Sequence, residues 1–257
     1  MIRVAVKIAY LGEGFYGSQM QPGARTVEGE ALSALMRICR ISEDELDLRL
    51  ASRTDRGVNA LGNVAVFNTP LEDPTILLKA LNAVSRDVFY RSIAEVGEDF
   101  NPRHADRRLY RQILQEDCFD VDAANRCAAL FEGEHDFVRF CKADGKSTVL
   151  TMNSVNVWKE NGLIVIDFEA GYYLWNMVRR MSAAIAAVGR GDAELSDVER
   201  ALSGESIGFG LARADALTLR DVVYDGLDFI EPEGLFDDRV REELFRDGLR
   251  RSFFASL

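Results

Sequence analysis

A single carboxylate, Asp55, stands between two arginines in Arg53-Thr54-Asp55-Arg56-Gly57-Val58-Asn59-Ala60. Arg53 and Arg56 supply positive potential for a phosphate-bearing ligand and favour the ionised carboxylate, which is the setting of a nucleophile. Gly57 lets the backbone turn tightly or come close to a ligand. Spacing alone does not separate this from a capped turn with a surface ion pair. Arginine is concentrated twice more, at Arg103, Arg107, Arg108 and Arg111 and at Arg179 with Arg180, and its planar fork suits phosphate. The two histidines, His104 and His135, are far apart, and Cys39, Cys118, Cys127 and Cys141 show no C-x-x-C spacing. No metal site is predicted, and the cysteines read as reduced thiols. His135-Asp136 reads as packing or turn capping, and Phe15-Tyr16 and Tyr172-Tyr173-Trp175 could stack bases but read first as core aromatics.

The Asp55 loop needs rigid flanks. Leu46, Leu48 and Leu50 alternate with Asp47 and Arg49, and a short apolar run follows over 64–67, so the loop is predicted to join two strands. Over the first hundred residues the pattern predicts strand 3–10, helix 27–41, strand 46–51, strand 63–68, helix 73–83 and strand 88–96. That β-α-β-β-α-β order is ferredoxin-like, an α+β arrangement with helices on one face of an antiparallel sheet. Thr26 is a plausible cap for the first helix, with Glu28 and Glu30 in its first turn. The second half repeats the pattern with insertions: strand 109–115, helix 122–132, strands 155–159 and 163–169, and a helix over 174–188. Leu174, Val178, Met181, Ile185 and Val188 form one stripe on that last helix, and Arg179 falls off it. Residues 1–100 and 101–257 are the expected halves, the second ending in helices. With no low-complexity linker and only five prolines, a shared sheet is expected rather than a hinge.

At 257 residues and 47% hydrophobic composition the chain has the material for a packed core. No apolar run reaches the roughly 18 residues of a membrane span, and the first residues enter a strand directly, so a cytoplasmic protein is expected. The net charge of −11 argues against a generic nucleic-acid binder. Acidic residues gather at Glu43-Asp44-Glu45 and between Glu231 and Glu243, apart from the arginines, which predicts a basic cleft on an acidic body.

Arg53-Thr54-Asp55-Arg56-Gly57-Val58-Asn59-Ala60 resembles the R-T-D-x-G-V-H-A signature of the tRNA pseudouridine synthase A family. Further segments resemble that family in the right order: Tyr10-Leu11-Gly12, Phe15-Tyr16-Gly17-Ser18-Gln19, Arg25-Thr26-Val27-Glu28-Gly29, Asn101-Pro102-Arg103-His104-Ala105, Arg108-Leu109-Tyr110-Arg111, Gly133-Glu134-His135-Asp136-Phe137 and Tyr173-Leu174-Trp175-Asn176-Met177-Val178-Arg179. Departures are Asn59 for histidine, Gln112 for the second tyrosine of R-x-Y-x-Y, Tyr173 for phenylalanine, Asn101 for aspartate, and Ala212-Arg213-Ala214-Asp215-Ala216-Leu217 in place of A-P-A-x-G-L. The resemblance implies two ferredoxin-like halves around a central cleft, a homodimer, no cofactor, and a tRNA substrate modified at positions 38 to 40 of the anticodon arm. It implies Asp55 as nucleophile, Tyr110 stacking on the flipped base with its hydroxyl reaching the proton lost from C5, and Arg179 pairing with Asp55. Arg53 would help to expel the target nucleotide, and Arg56, Arg103, Arg107, Arg108 and Arg111 are candidate RNA contacts. Whether Asp55 attacks the sugar or the base stays open. The competing reading is a non-catalytic RNA-binding or chaperone protein on the same fold, and retention of Asp55 between Arg53 and Gly57 argues against it. An aspartyl phosphotransferase is disfavoured by the lack of a D-x-D pattern and of a P-loop.

Overall fold

The computed structural model describes residues 1–145 and 147–254. The first half contains β1 (Ile2–Tyr10), α1 (Val27–Cys39), α2 (Glu43–Leu46), β2 (Arg49–Leu50), β3 (Asn59–Thr69), α3 (Pro74–Val84) and β4 (Val88–Val96). The second contains β5 (Arg107–Leu114), α4 (Val121–Ala129), β6 (Gly133–Asp136), β7 (Val149–Glu160), β8 (Leu163–Ala170), α5 (Met177–Arg190), α6 (Leu195–Leu202), β9 (Leu217–Val223) and α7 (Asp237–Phe254).

The strands form a single nine-stranded sheet ordered β4-β1-β3-β9-β5-β8-β7-β6, with β2 paired to β3. The set β4-β1-β3-β2 has ferredoxin-like order, and β9-β5-β8-β7 repeats it. Pairings inside each set are antiparallel. The two sets meet where β9 runs parallel to β3, with Asn59 opposite Thr218 and Ala60 opposite Leu219. The seam therefore lies at the base of the loop that holds Asp55. Val4, Val6 and Ile8 of β1, Leu35 of α1, and Leu77 and Leu81 of α3 are buried in one core with Ile164, Ile166 and Phe168 of β8 and Met181 and Ile185 of α5. Each such side chain contributes about 1.5–3 kcal/mol by leaving water. Behind β1 and β4, residues after β9 cross the sheet: Ile230 bridges to Ile93, and the Lys7 ammonium sits 5.0 Å from the Phe229 ring centroid.

Helix boundaries follow local chemistry. Thr26 accepts a hydrogen bond from the Gly29 amide at the start of α1, and Arg40, with φ of 56°, ends the helix two residues short of the predicted stop at Ile41. Asp73 caps α3 at the Ile76 amide, with Pro74 in the first turn. The strand predicted over 46–51 shrinks to two residues, because Ser42 and Glu45 form a reciprocal capping box and turn Glu43–Leu46 into a helix with Leu46 fully buried. β3 starts four residues before the predicted strand, and α5 starts at Met177, after Asn176 in the left-handed region. β6, α6 and β9 were not predicted.

Candidate active site

Asp55 is presented by a loop whose own backbone is buried and hydrogen-bonded on both sides. The Thr54 amide donates to Ser18 Oγ at 2.8 Å, the Ser18 amide donates to the Thr54 carbonyl at 3.0 Å, and Tyr10 Oη and Thr54 Oγ1 lie 2.9 Å apart. Asn63, fully buried on β3, accepts from the Ser52 amide and donates to the Ser52 carbonyl and to Tyr10 Oη, at 2.9–3.1 Å. Every polar atom of that amide is used, which is what burial of an amide demands. Gly17, with φ of +95°, passes so close that a Cβ would lie 3.1 Å from the Thr54 carbonyl oxygen, and a Cβ on Gly12 would lie 2.4 Å from the Gly57 and Val58 backbone. The first glycine-bearing turn is thus pressed against the Asp55 loop and fixes its course. Asn63 escaped the sequence reading, and Tyr10 and Ser18 stood in family-like segments without this role. A polar residue amid the apolar run of β3 was the signal for Asn63.

The Asp55 carboxylate keeps 35% of its side-chain surface, and an Arg179 Nη1 lies 3.9 Å from it. Burial pushes the Asp55 carboxyl above the ordinary aspartate range, opposed by the Arg179 charge and by the Trp175 indole. This corrects the expectation that Arg53 and Arg56 set its ionisation: Arg53 points to solvent, and Arg56 lies over the Tyr16 ring, 4.3 Å from its centroid. Arg179 is itself held, its Nε donating to the Ala212 carbonyl at 2.8 Å and its Nη1 reaching Asn176 Oδ1 at 3.4 Å. It is a fixed positive charge beside the carboxylate rather than a close bidentate partner.

Tyr110 projects from β5 into the same cleft. It is 7% exposed, packs edge-on against Tyr173 with centroids 5.0 Å apart, and its hydroxyl makes no hydrogen bond to the described residues. Burial holds its phenol well above the usual range, so the hydroxyl is protonated at neutral pH. Along β5 successive side chains alternate, and the arginines of that stretch separate accordingly. Arg108, on the Tyr110 face and buried, donates to Ser52 Oγ at 3.0 Å, to the Arg103 carbonyl at 2.8 Å and to the carbonyls of Gly171 and Ala51. It ties the Asp55 loop to β5 and to the end of β8, and its donors are spent inside the protein. Arg107 and Arg111 lie on the other face, paired with Asp225 at 3.1 Å and with both oxygens of Asp167 at 2.7 Å. One phosphate-gripping cluster of four is therefore not what the fold builds. Arg53 and Arg103 are exposed and make no side-chain hydrogen bond or ion pair among the described residues.

These groups meet in a cleft of about 450 Å³ lined by Arg53, Asp55, Arg56, Arg103, Arg108, Tyr110 and Arg179, a size suited to one small ligand or one extruded nucleotide. A second cavity of about 690 Å³ near Ile113 and Leu211 contains Arg190 and Arg213, but each is already paired, with Glu116 and Asp192 and with Asp215. Its larger volume holds no free charge.

The profile of the tRNA pseudouridine synthase family matches residues 127–225. Curated proteins called tRNA pseudouridine synthase A match far more of the chain: that of Thermococcus kodakarensis is 40% identical over 89% of this chain and 87% of its own length. That of Thermococcus sibiricus is 38% identical over 98% and 96%, and that of Methanosphaerula palustris 39% identical over 86% and 80%. The chain belongs to the tRNA pseudouridine synthase A family. A solved archaeal box H/ACA sRNP Nop10-Cbf5 complex aligns with a TM-score of 0.34 and 14% identity, over 71% of this chain and 44% of that one.

Within the family signature, the departures of this chain have structural roles. Asn59, where the signature has histidine, accepts from the Gly12 amide and donates to the Asp215 carbonyl, both at 2.8 Å, and so joins the first turn, the Asp55 loop and the segment before β9. Gln112 is fully buried and donates to the Arg213 carbonyl at 3.2 Å. Tyr173 donates to the Arg108 carbonyl at 3.3 Å, a bond that phenylalanine lacks. The Ala212–Leu217 segment stays docked, its Ala212 amide and carbonyl both bonded to Arg179.

Proposed function

We propose that the chain converts uridine to pseudouridine in the anticodon arm of tRNA, at positions 38 to 40, with Asp55 as nucleophile. The observation that supports this most is the rigid presentation of Asp55 in a cleft it shares with Tyr110 and Arg179, in a chain whose relatives are called tRNA pseudouridine synthase A. The isomerisation breaks the bond from the ribose C1′ to N1, turns the uracil in place, and joins C1′ to C5. N1 ends with a proton and C5 loses one, so no redox partner or energy source is needed.

The target nucleotide must first leave its stack, and Arg53, exposed at the cleft edge, is placed to hold it out. Asp55 then attacks the sugar, assists formation of a glycal, or adds to the base, with Arg179 supporting its ionised form. Tyr110 offers a ring face to the uracil, and its protonated hydroxyl serves as a hydrogen-bond partner on the path of the C5 proton rather than as a standing phenolate. Arg108 and Asn63 position the nucleophile. The halves 1–100 and 101–257, a homodimer and a cytoplasmic location belong to this proposal through family resemblance; no helix among the described residues is long and apolar enough to cross a membrane. Mapping pseudouridine in a tRNA transcript after incubation with the protein tests the reading: new pseudouridine at positions 38 to 40 is expected, and an unmodified anticodon arm overturns it.

A further inference from the structure

Two exposed rings at the mouth of the Asp55 cleft each hold a cation. Tyr16 is 52% exposed with the Arg56 guanidinium 4.3 Å from its ring centroid, and Trp175 is 47% exposed with the Lys142 ammonium 3.8 Å from its ring. Both rings line the cleft. Their neighbours behave oppositely: Phe15 is 2% exposed and packs edge-on with Tyr10, and Tyr173 packs on Tyr110. The aromatic runs that read as core from sequence are thus split: Phe15 turns inward and Tyr16 stays at the rim, while Tyr173 turns inward and Tyr172, 44% exposed, and Trp175 stay at the rim. Half-exposed large rings forgo burial that folding ordinarily secures, and here Tyr16, Tyr172 and Trp175 all face one opening. Neither Arg56 nor Lys142 forms an ion pair with a carboxylate among the described residues, unlike Arg107, Arg111, Arg190 and Arg213.

A ring with a cation on one side matches what a nucleotide offers, a flat base and an anion beside it. When the target leaves its stack, the bases next to it lose a stacking partner and become free to take another. We propose that Tyr16 with Arg56, and Trp175 with Lys142, are two nucleotide clamps at the rim of the Asp55 cleft, each ring stacking a base adjacent to the target and each cation meeting the adjoining phosphate. The inference rests on the reading of the chain as a tRNA-modifying enzyme. It adds residues outside the chemistry that set how tightly and in what register the RNA is held.

Fluorescence and kinetics test it together. The protein has two tryptophans, and Trp158 lies away from the cleft beneath Arg111, 5.0 Å from its guanidinium. In Trp158→Phe combined with Asp55→Asn, which blocks turnover, an anticodon-arm RNA should quench the emission of Trp175, and the same RNA with abasic nucleotides beside the target should not. Tyr16→Ala should raise KM about tenfold with kcat little changed, and Trp175→Ala should raise KM by the same factor, the size expected for one lost stack. Trp175→Phe and Tyr16→Phe, which keep a ring, should stay near the wild-type KM. Because the Trp175 indole also bears on Asp55, Trp175→Phe should move the acid limb of the pH profile without moving KM. Arg56→Ala and Lys142→Ala should each flatten the salt slope of binding by about one. Unchanged Trp175 emission at saturating RNA, or a Trp175→Ala defect as large on abasic as on intact RNA, overturns the clamps. An RNA that the wild-type protein leaves unmodified overturns the functional reading itself, whereas normal turnover with unmoved KM in both alanine variants overturns only the clamps.

Discussion

At the level of single residues, the environment of Asp55 sets a direction for pH dependence. A carboxyl raised by burial binds more protons in the folded than in the unfolded chain, so stability falls as pH rises from the ordinary aspartate range through the raised value. Asp55→Asn is therefore expected to melt no lower than wild type at neutral pH and to lose that slope, as thermal melts across a pH series would show. In the proposed role of Asp55 as nucleophile, activity requires the ionised form and rises through the same value. Arg179→Met removes the charge that opposes burial and should move the acid limb of the pH–rate profile to higher pH; an unmoved limb would show that the 3.9 Å contact does nothing to Asp55. Tyr110→Phe keeps the ring and should retain RNA affinity, while Tyr110→Leu should weaken it about tenfold. Equal, wild-type activity of the two variants would place Tyr110 outside the site. Asp55 was singled out in the sequence by the family signature around it, since its spacing alone does not separate it from a capped turn. The burial that raises its pKa was not legible there, since it comes from chain segments far away in sequence, whereas the opposing Arg179 was expected beside it by resemblance.

Elements matter here through the junctions between them. Arg108 joins β5, the end of β8 and the Asp55 loop, and Asn63 joins β3 to that loop, so both brace the Asp55 loop through hydrogen bonds inside the protein. Asn63→Ala strands several buried partners at once and is expected to cost about 2–4 kcal/mol in urea unfolding. Arg108→Met should lower kcat while leaving the salt slope of RNA binding unchanged. A flattened slope would mean that Arg108 reaches phosphate after all. Period-two alternation made most strands readable from sequence, and the same alternation, applied to β5, separates Arg108 from Arg107 and Arg111. β9 escaped because its order comes from pairing with β3 and β5, both distant in the chain. The segment over 46–51 misled because leucine alternation there competes with a four-residue helix whose cap lies outside the alternating run.

The whole molecule resolves the conflict between a net charge of −11 and a polyanionic substrate by local segregation. Among the described residues lining the cleft are five arginines and two aspartates, while Glu43, Asp44 and Glu45 sit exposed on α2. Binding should therefore release counterions in proportion to the few arginines that reach phosphate. Arg53→Ala and Arg103→Ala should each reduce the salt slope by about one, and Arg107→Ala and Arg111→Ala should change it little, because their guanidiniums are already neutralised on the other face. Filter binding across a salt series distinguishes the two groups. That the halves share one sheet was readable from the absence of a linker; that they meet at the foot of the Asp55 loop was not, because the β3–β9 seam is a contact between remote segments. The most direct test is tritium release from tRNA labelled at C5 of uridine, with wild type and Asp55→Asn compared at equal RNA occupancy. Release by wild type and none by Asp55→Asn is the expected result; release by Asp55→Asn at the wild-type rate would contradict the assignment of Asp55 as the nucleophile.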